Sequence, residues 1–388
     1  MRFSPITPFS VLLKWICLLC LGGAFLFQPV WAQDHILEKS VWTDTTGSAT
    51  FEQAREATYT PYTGVLSKGF SKNVQWVRLK ISGVDEGGPD KLVLRIRPVF
   101  LDDIQLYDPL VWKPGQPIRR TGDLSPVESI EFDSLHHTFV IPTQQSPREV
   151  WLRLSTISTQ LMHVEALSPR DMQRSEQGLS MAYSALLALI FSFLVWVFLA
   201  WLRDRDPVNG VFALRQIILL FYTACYLGYH RALLSPWLSP AAEDQLYSWL
   251  VFFTTGFSFV FEYRLLSEYR MPRWGRWLMR LLLSLSALGI GLMCFGIKLQ
   301  SLQLNVFLNG IGMVSIFLIS TCIQPAKIDP EQPGTYQLPK LALVAYYLIG
   351  LVFLVMSILP ALGLLRGDTL SIYGVLFYGL ASGFFMTA

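Results

Sequence analysis

The chain has 388 residues, of which 52% are hydrophobic, 14% aromatic and only 15% charged, with a formal net charge of +3. Soluble domains carry roughly 25% charged residues, so lipid is the solvent for much of this sequence. Residues 33–178 hold 16 basic and 19 acidic side chains and residues 179–388 hold 13 and 9, a distribution without the uniform basicity that nucleic acid would need.

Residues 1–32 read as a leader. Arg2 is the first charge, an apolar region interrupted by Lys14 follows, and Val30-Trp31-Ala32 precedes Gln33. A small residue at the last position, with Val two before it, predicts a cleaved signal peptide ending at Ala32, with Gln33 as the new terminus. The segment 33–175 is then exported. All five cysteines, Cys17, Cys20, Cys225, Cys294 and Cys322, fall outside it, which excludes a disulfide scaffold or a Cys-based zinc site there.

Within 74–166 the pattern is of short strands. Val77, Leu79 and Ile81 alternate with Trp76, Arg78 and Lys80, and Leu92, Leu94 and Ile96 alternate with Val93, Arg95 and Arg97. Ile104 with Leu106, Phe139 with Ile141, and Val150, Leu152 and Leu154 continue it, with turns at Asp85–Pro89, Pro114-Gly115 and Thr121–Asp123. Alternation of period two marks half-buried strands, and many of them at short spacing predict an antiparallel sandwich of the jelly-roll kind.

If the aliphatic set faces the core, Trp76, Arg78, Arg95, Arg97, Trp151 and Arg153 face away from it. Trp-x-Arg-Leu occurs twice, at residues 76–79 and 151–154. Indole rings beside guanidinium donors suit stacking on a sugar and hydrogen bonding to hydroxyls or a carboxylate, which makes these six residues the candidate ligand site. The competing expectation is structural: the tryptophans cover a second layer and the arginines pair across strands with Asp102, Asp103 or Glu165. His136 and His137 are adjacent and so face apart on a strand, and no His-x-His spacing accompanies them or His163, so no metal site or cofactor is expected. No catalytic motif stands out, and the chain by itself is not expected to be an enzyme.

From residue 176 onward seven apolar runs approach the roughly 20 residues that a bilayer-spanning helix needs: 181–202, 211–227, 246–266, 277–295, 302–323, 341–364 and 371–388. An exported first domain fixes the first helix as running inward. Short loops then expected inside carry Arg203, Arg205, Arg264, Arg270, Arg273, Arg276, Arg280, Lys327 and Lys340, against Arg231, Lys298 and Arg366 outside, in keeping with the excess of basic residues on cytoplasmic loops. The Arg- and Trp-rich loop 264–280 reads as a headgroup anchor in the membrane lipid. The run ends at Ala388 without a basic helix exit, so a longer parent protein is expected.

Ionisable groups in spans are costly and functional by default. Arg215, about one and a half turns from Asn209 and within snorkelling distance of the inner face, is the clearest, and Glu262 near the inner end of the third span could reach it from the neighbouring helix. No span holds an interior Lys, and ion-coupled transport normally needs several buried acids, so a transporter or membrane-embedded enzyme fed by the exported domain is the weaker reading.

The order of parts, with Trp76-Val77-Arg78-Leu79, residues 101–107 (LDDIQLY) and Trp151-Leu152-Arg153-Leu154, resembles bacterial seven-transmembrane receptors with diverse intracellular signalling modules, of the type with that family's second extracellular domain. The resemblance covers nearly the whole mature chain on loose motifs. It implies a periplasmic jelly roll that binds a carbohydrate-like or other small ligand, and seven helices that pass the signal inward across the bacterial inner membrane. The implied cytoplasmic effector, a histidine kinase, diguanylate cyclase, other cyclase or phosphatase, has no counterpart here: neither a Gly-Gly-Asp/Glu-Glu-Phe run nor a kinase ATP-binding segment occurs. Such receptors often pair, so a homodimer is expected. The fold class expected overall is an all-β jelly-roll-like sandwich (33–175) followed by an all-α seven-helix transmembrane bundle (176–388).

Overall fold

The computed structural model describes residues 33–325 and 339–372, together with 374, 381–383 and 385. The expected leader, most of the loop around Lys327 that is expected inside, and most of the span expected at 371–388 lie outside the described residues.

The segment expected to be exported is an antiparallel sandwich of two sheets. Strands β1 (Ile36–Asp44), β2 (Thr60–Pro61), β4 (Val74–Ile81), β6 (Asp103–Tyr107), β7 (Arg119–Thr121) and β9 (Arg148–Ser155) form one sheet in the order β2-β1-β4-β9-β6-β7. The other runs β3-β10-β5-β8, with β3 at Leu66–Phe70, β5 at Lys91–Arg97, β8 at His137–Pro142 and β10 at Thr159–Leu167. Every aliphatic residue read as inward is buried between them, from Val77, Leu79 and Ile81 on β4 to Val150, Leu152 and Leu154 on β9. Side chains alternate across a strand, so each strand supplies every second residue to this core and leaves the others to a second surface.

The helices follow without a linker: Leu167 ends β10, Ser168 caps the next helix by accepting from the Asp171 amide at 3.1 Å, and Pro169 opens α2 (Pro169–Asp204) after a six-residue α1 (Phe51–Glu56) in the sandwich. The same device, an N-cap side chain followed by Pro, starts α3 (Pro207–Tyr226) at Asp206 and, beyond the short α4 (Tyr229–Leu234), α5 (Pro240–Leu266) at Ser239. Then come α6 (Arg273–Cys294), α7 (Lys298–Cys322) and α8 (Lys340–Phe353), the last continuing through a π turn at Leu354–Ile358 to Ala361. Pro360 has no N–H to offer the preceding turn, which accounts for the π turn just before it.

Six of the seven expected spans correspond to long helices among the described residues, and the seventh, 371–388, falls mostly outside them. Among the described residues there are six long helices, and five of them are both long and apolar enough to cross a membrane: α2, α3, α6, α7 and the run from Lys340 to Ala361. The remaining one, α5, is long enough, but Tyr247, Ser248, Thr254, Thr255 and Ser258 lower its apolarity.

Loops alternate between the two ends of the helices. The turn after α3 meets the sandwich: Gly228 has φ +89°, and a Cβ there would stand 2.4 Å from the Leu135 carbonyl oxygen, so both the left-handed backbone and the close approach call for glycine. The segment after α8 also meets it, with Val65 paired to Gly367 and the Ser67 hydroxyl donating to the Pro360 carbonyl at 2.5 Å. At the far end Arg270 pairs with Gln324, joining the loop after α5 to the end of α7.

Candidate functional site

The six sequence-selected sandwich residues do not share one surface. Arg95 and Arg97 lie on β5, in the four-stranded sheet, whereas the other four lie on β4 and β9 of the six-stranded sheet, whose register sets Trp76 opposite Arg153 and Arg78 opposite Trp151. The indoles are also closed over: Trp76 is 0% exposed and Trp151 3%. Helix α1 and the segment after β6 cover them in a second small core, where the Phe51 ring stacks on Tyr107 at 5.0 Å and meets Trp151 edge-on at 5.4 Å. Side-chain alternation made the tryptophans point away from the main core; it did not expose them. Of the set, Arg78 and Arg153 reach solvent. Arg78 lies 4.7 Å from the centre of the Tyr59 ring and donates to Ser40, while Arg153 donates to the Gly47 carbonyl at 2.9 Å and stands 3.9 Å from Asp103.

Arg95 and Arg97 belong to a charged cluster that fastens the sandwich to α2. Arg95 pairs with Glu165 of β10 at 2.6 Å and with Glu176 of α2 at 3.0 Å, and it donates to Ser175 at 2.8 Å. Arg97 pairs with Glu165 at 3.1 Å and donates to His163 Nδ1 at 3.2 Å. Glu176 in turn accepts from Ser134 at 2.8 Å and from His136 Nδ1 at 3.3 Å. Burial pulls the Glu165 carboxyl upward, but Arg97 and Arg95 outweigh it and hold it at about 2. Burial, then the Arg97 charge, pushes the His163 imidazole down to about 3, so it is neutral. Sequence inspection missed Glu176; its only local signal was an acid just ahead of the first apolar run.

A second tie joins α4 to β8. His137 is wholly buried, and its Nε2 donates to the Val99 carbonyl at 2.9 Å, leaving Nδ1 as an acceptor for Arg231 at 3.0 Å. Burial, then the Arg231 charge, keeps this imidazole neutral, which fixes the tautomer. Arg231 also donates to the Ser125 carbonyl at 3.0 Å. His136 and His137 thus face apart, His136 toward Glu176 and His137 toward Arg231.

Between these ties a cavity of about 210 Å³ runs from the sandwich into the helices. Phe70, Phe100 and Thr159 cap its outer end, and Tyr222, Tyr226 and Tyr247 form an aromatic collar. Tyr247 stacks on Tyr222 at 6.0 Å and on Phe100 at 6.2 Å. Deeper in, Arg215, Ser258, Glu262, Asn305 and Asn309 line it. These come from faces with helical spacing, 215, 219, 222 and 226 on α3 and 247, 251, 255, 258 and 262 on α5. Arg215 and Glu262, the two intramembrane polar residues singled out from sequence, therefore line one cavity from adjacent helices. Arg215 Nε donates to Ser258 Oγ at 3.1 Å, and Tyr347 donates its hydroxyl to the Glu262 carboxylate.

A β-sandwich tied directly to span-length helices, with a shared polar and aromatic interior, suggests a membrane receptor with an extracellular N-terminal region. The comparison with protein families agrees: residues 38–168 match the model for the 7TMR-DISM extracellular 2 domain, the resemblance that the strand motifs had suggested. No curated protein matches the chain.

Proposed function

We propose that the protein is a receptor of a bacterial inner membrane, whose periplasmic sandwich senses a small ligand, carbohydrate being the first class to try, and whose helices drive a cytoplasmic effector of the histidine kinase or diguanylate cyclase type. Any catalysis belongs to that module, and pairing of two receptors would bring two modules together. The observation that carries this reading is the join itself. Strand β10 runs directly into α2, and Glu176 two turns later is held by Arg95, Ser134 and His136 of the sandwich. A shift of β5 or β10 is thereby a shift of α2. The loops with few basic residues are also the ones that touch the sandwich, which supports a periplasmic outer end.

Arg78 and Arg153, with half-buried Trp42, Tyr59 and Trp112 around the covered indoles, are the groups a sugar would meet first. The test is hydrogen–deuterium exchange on the full chain in nanodiscs during titration with cell-wall oligosaccharides. Binding should alter exchange in the first turns of α2 in the wild type, and Glu176→Gln should uncouple the two. An oligosaccharide that protects the sandwich but leaves α2 and residues 360–367 unchanged would contradict the receptor mechanism.

A further inference from the structure

The cavity below the tyrosine collar is built for an occupant. It spans the helical rise from Tyr247 to Glu262, about 20 Å, with a volume of only about 210 Å³, so it is long and narrow. An engineered apolar cavity of about 150 Å³ takes benzene; this one has room for roughly ten heavy atoms in a row. Its outer walls are aromatic and aliphatic. Its deeper part is not: Thr254 Oγ1 and Ser357 Oγ, both lining it, are buried with no hydrogen-bond partner among the described residues. Such groups cost free energy unless something bonds to them. The formal charges on the wall, Arg215 and Glu262, are of opposite sign, so a further full charge would enter hydrocarbon uncompensated.

We propose that this cavity binds a small, membrane-soluble, largely apolar molecule carrying one neutral hydrogen-bonding head, a hydroxyl, amide or ester, seated among Thr254, Ser357 and Asn309. Asn309 already donates to Thr255 Oγ1 at 2.9 Å, which holds its amide in place at that depth. The occupant's other end would touch Phe100 and Thr159 of the sandwich, so one molecule would contact both halves of the protein. The proposal deepens the receptor reading, but binding is read directly and needs no effector.

The probe is 1-decanol bearing a diazirine and an alkyne, photolysed with the full chain in nanodiscs. Labelled peptides should map to cavity-facing positions of α3, α5 and α7, and labelling should be competed by plain decanol at least fivefold better than by decane. Val251→Trp, which fills the cavity, should cut labelling tenfold or more. Thr254→Val, isosteric and free of its unpartnered hydroxyl, should leave the melting temperature unchanged and weaken decanol competition three- to tenfold, a result independent of how well the bulkier variant folds. Labelling confined to lipid-facing Phe253 and Phe307, or equal competition by decane and decanol in both wild type and Thr254→Val, would overturn the proposal and leave the receptor reading standing.

Discussion

Glu165 and His163 stand two residues apart on the same face of β10 and share Arg97, yet they give the protein acid sensitivity by different routes. His163 is held at about 3 and takes a proton near 6.5 when unfolded, so between those values the unfolded chain binds more protons and stability falls as pH falls. Glu165, held at about 2 against an ordinary 4.5, adds a loss that begins lower and deepens toward pH 2. Asp123 runs the other way, since burial and then Asp102 lift its carboxyl, so its contribution declines as pH rises above about 4. The melting temperature of the full chain should therefore drop from pH 7 to 4, and His163→Gln should flatten that limb. A variant curve parallel to the wild type would remove His163 from the account. Glu176 is bonded on three sides and mostly buried, so Glu176→Ala leaves Arg95 short of an acid and should cost about 3 kcal/mol, read as a lowered denaturation midpoint.

At the level of strands and helices, what could be read from sequence followed local periodicity. The aliphatic alternation on β4, β5, β6, β8 and β9 named the sandwich core correctly because period two is a local property of the backbone. The same alternation says whether a residue faces inward, but not which sheet carries it. Arg95 and Arg97 were for that reason grouped with Trp76 and Trp151 although they lie on the other sheet. The lid over the indoles was hidden in a six-residue helix too short for a periodic signal, though its capping box, Thr50 with Gln53, is visible in the sequence. Covered in this way, Trp76 is a packing residue. Trp76→Ala should lower stability by about 3–5 kcal/mol, checked by chemical denaturation, and a loss under 1 kcal/mol would mean that the second core is loosely held. The contacts at the join escaped sequence inspection because they link residues far apart: Arg231 to His137 spans 94 positions and Ser67 to Pro360 spans 293.

Across the whole molecule, the two halves share one interior. Val65, Phe100 and Leu161 of the sandwich pack in a single cluster with Tyr183, Leu219, Tyr222 and Tyr226 of the helices. At one end of the helices Arg231 and the segment around Gly367 are stitched to the sandwich, and the Arg-rich loop lies at the opposite end. The account therefore stands on one arrangement: sandwich outside, loop 267–272 inside, helices between them in lipid. The direct measurement is labelling of spheroplasts with a membrane-impermeant maleimide, in a background with all five cysteines replaced, at Glu56→Cys on the exposed sandwich surface and Ser267→Cys in the loop after α5. The account predicts full labelling at residue 56 in intact spheroplasts and labelling at residue 267 only after lysis. Equal labelling of both before lysis, or of neither, would contradict it.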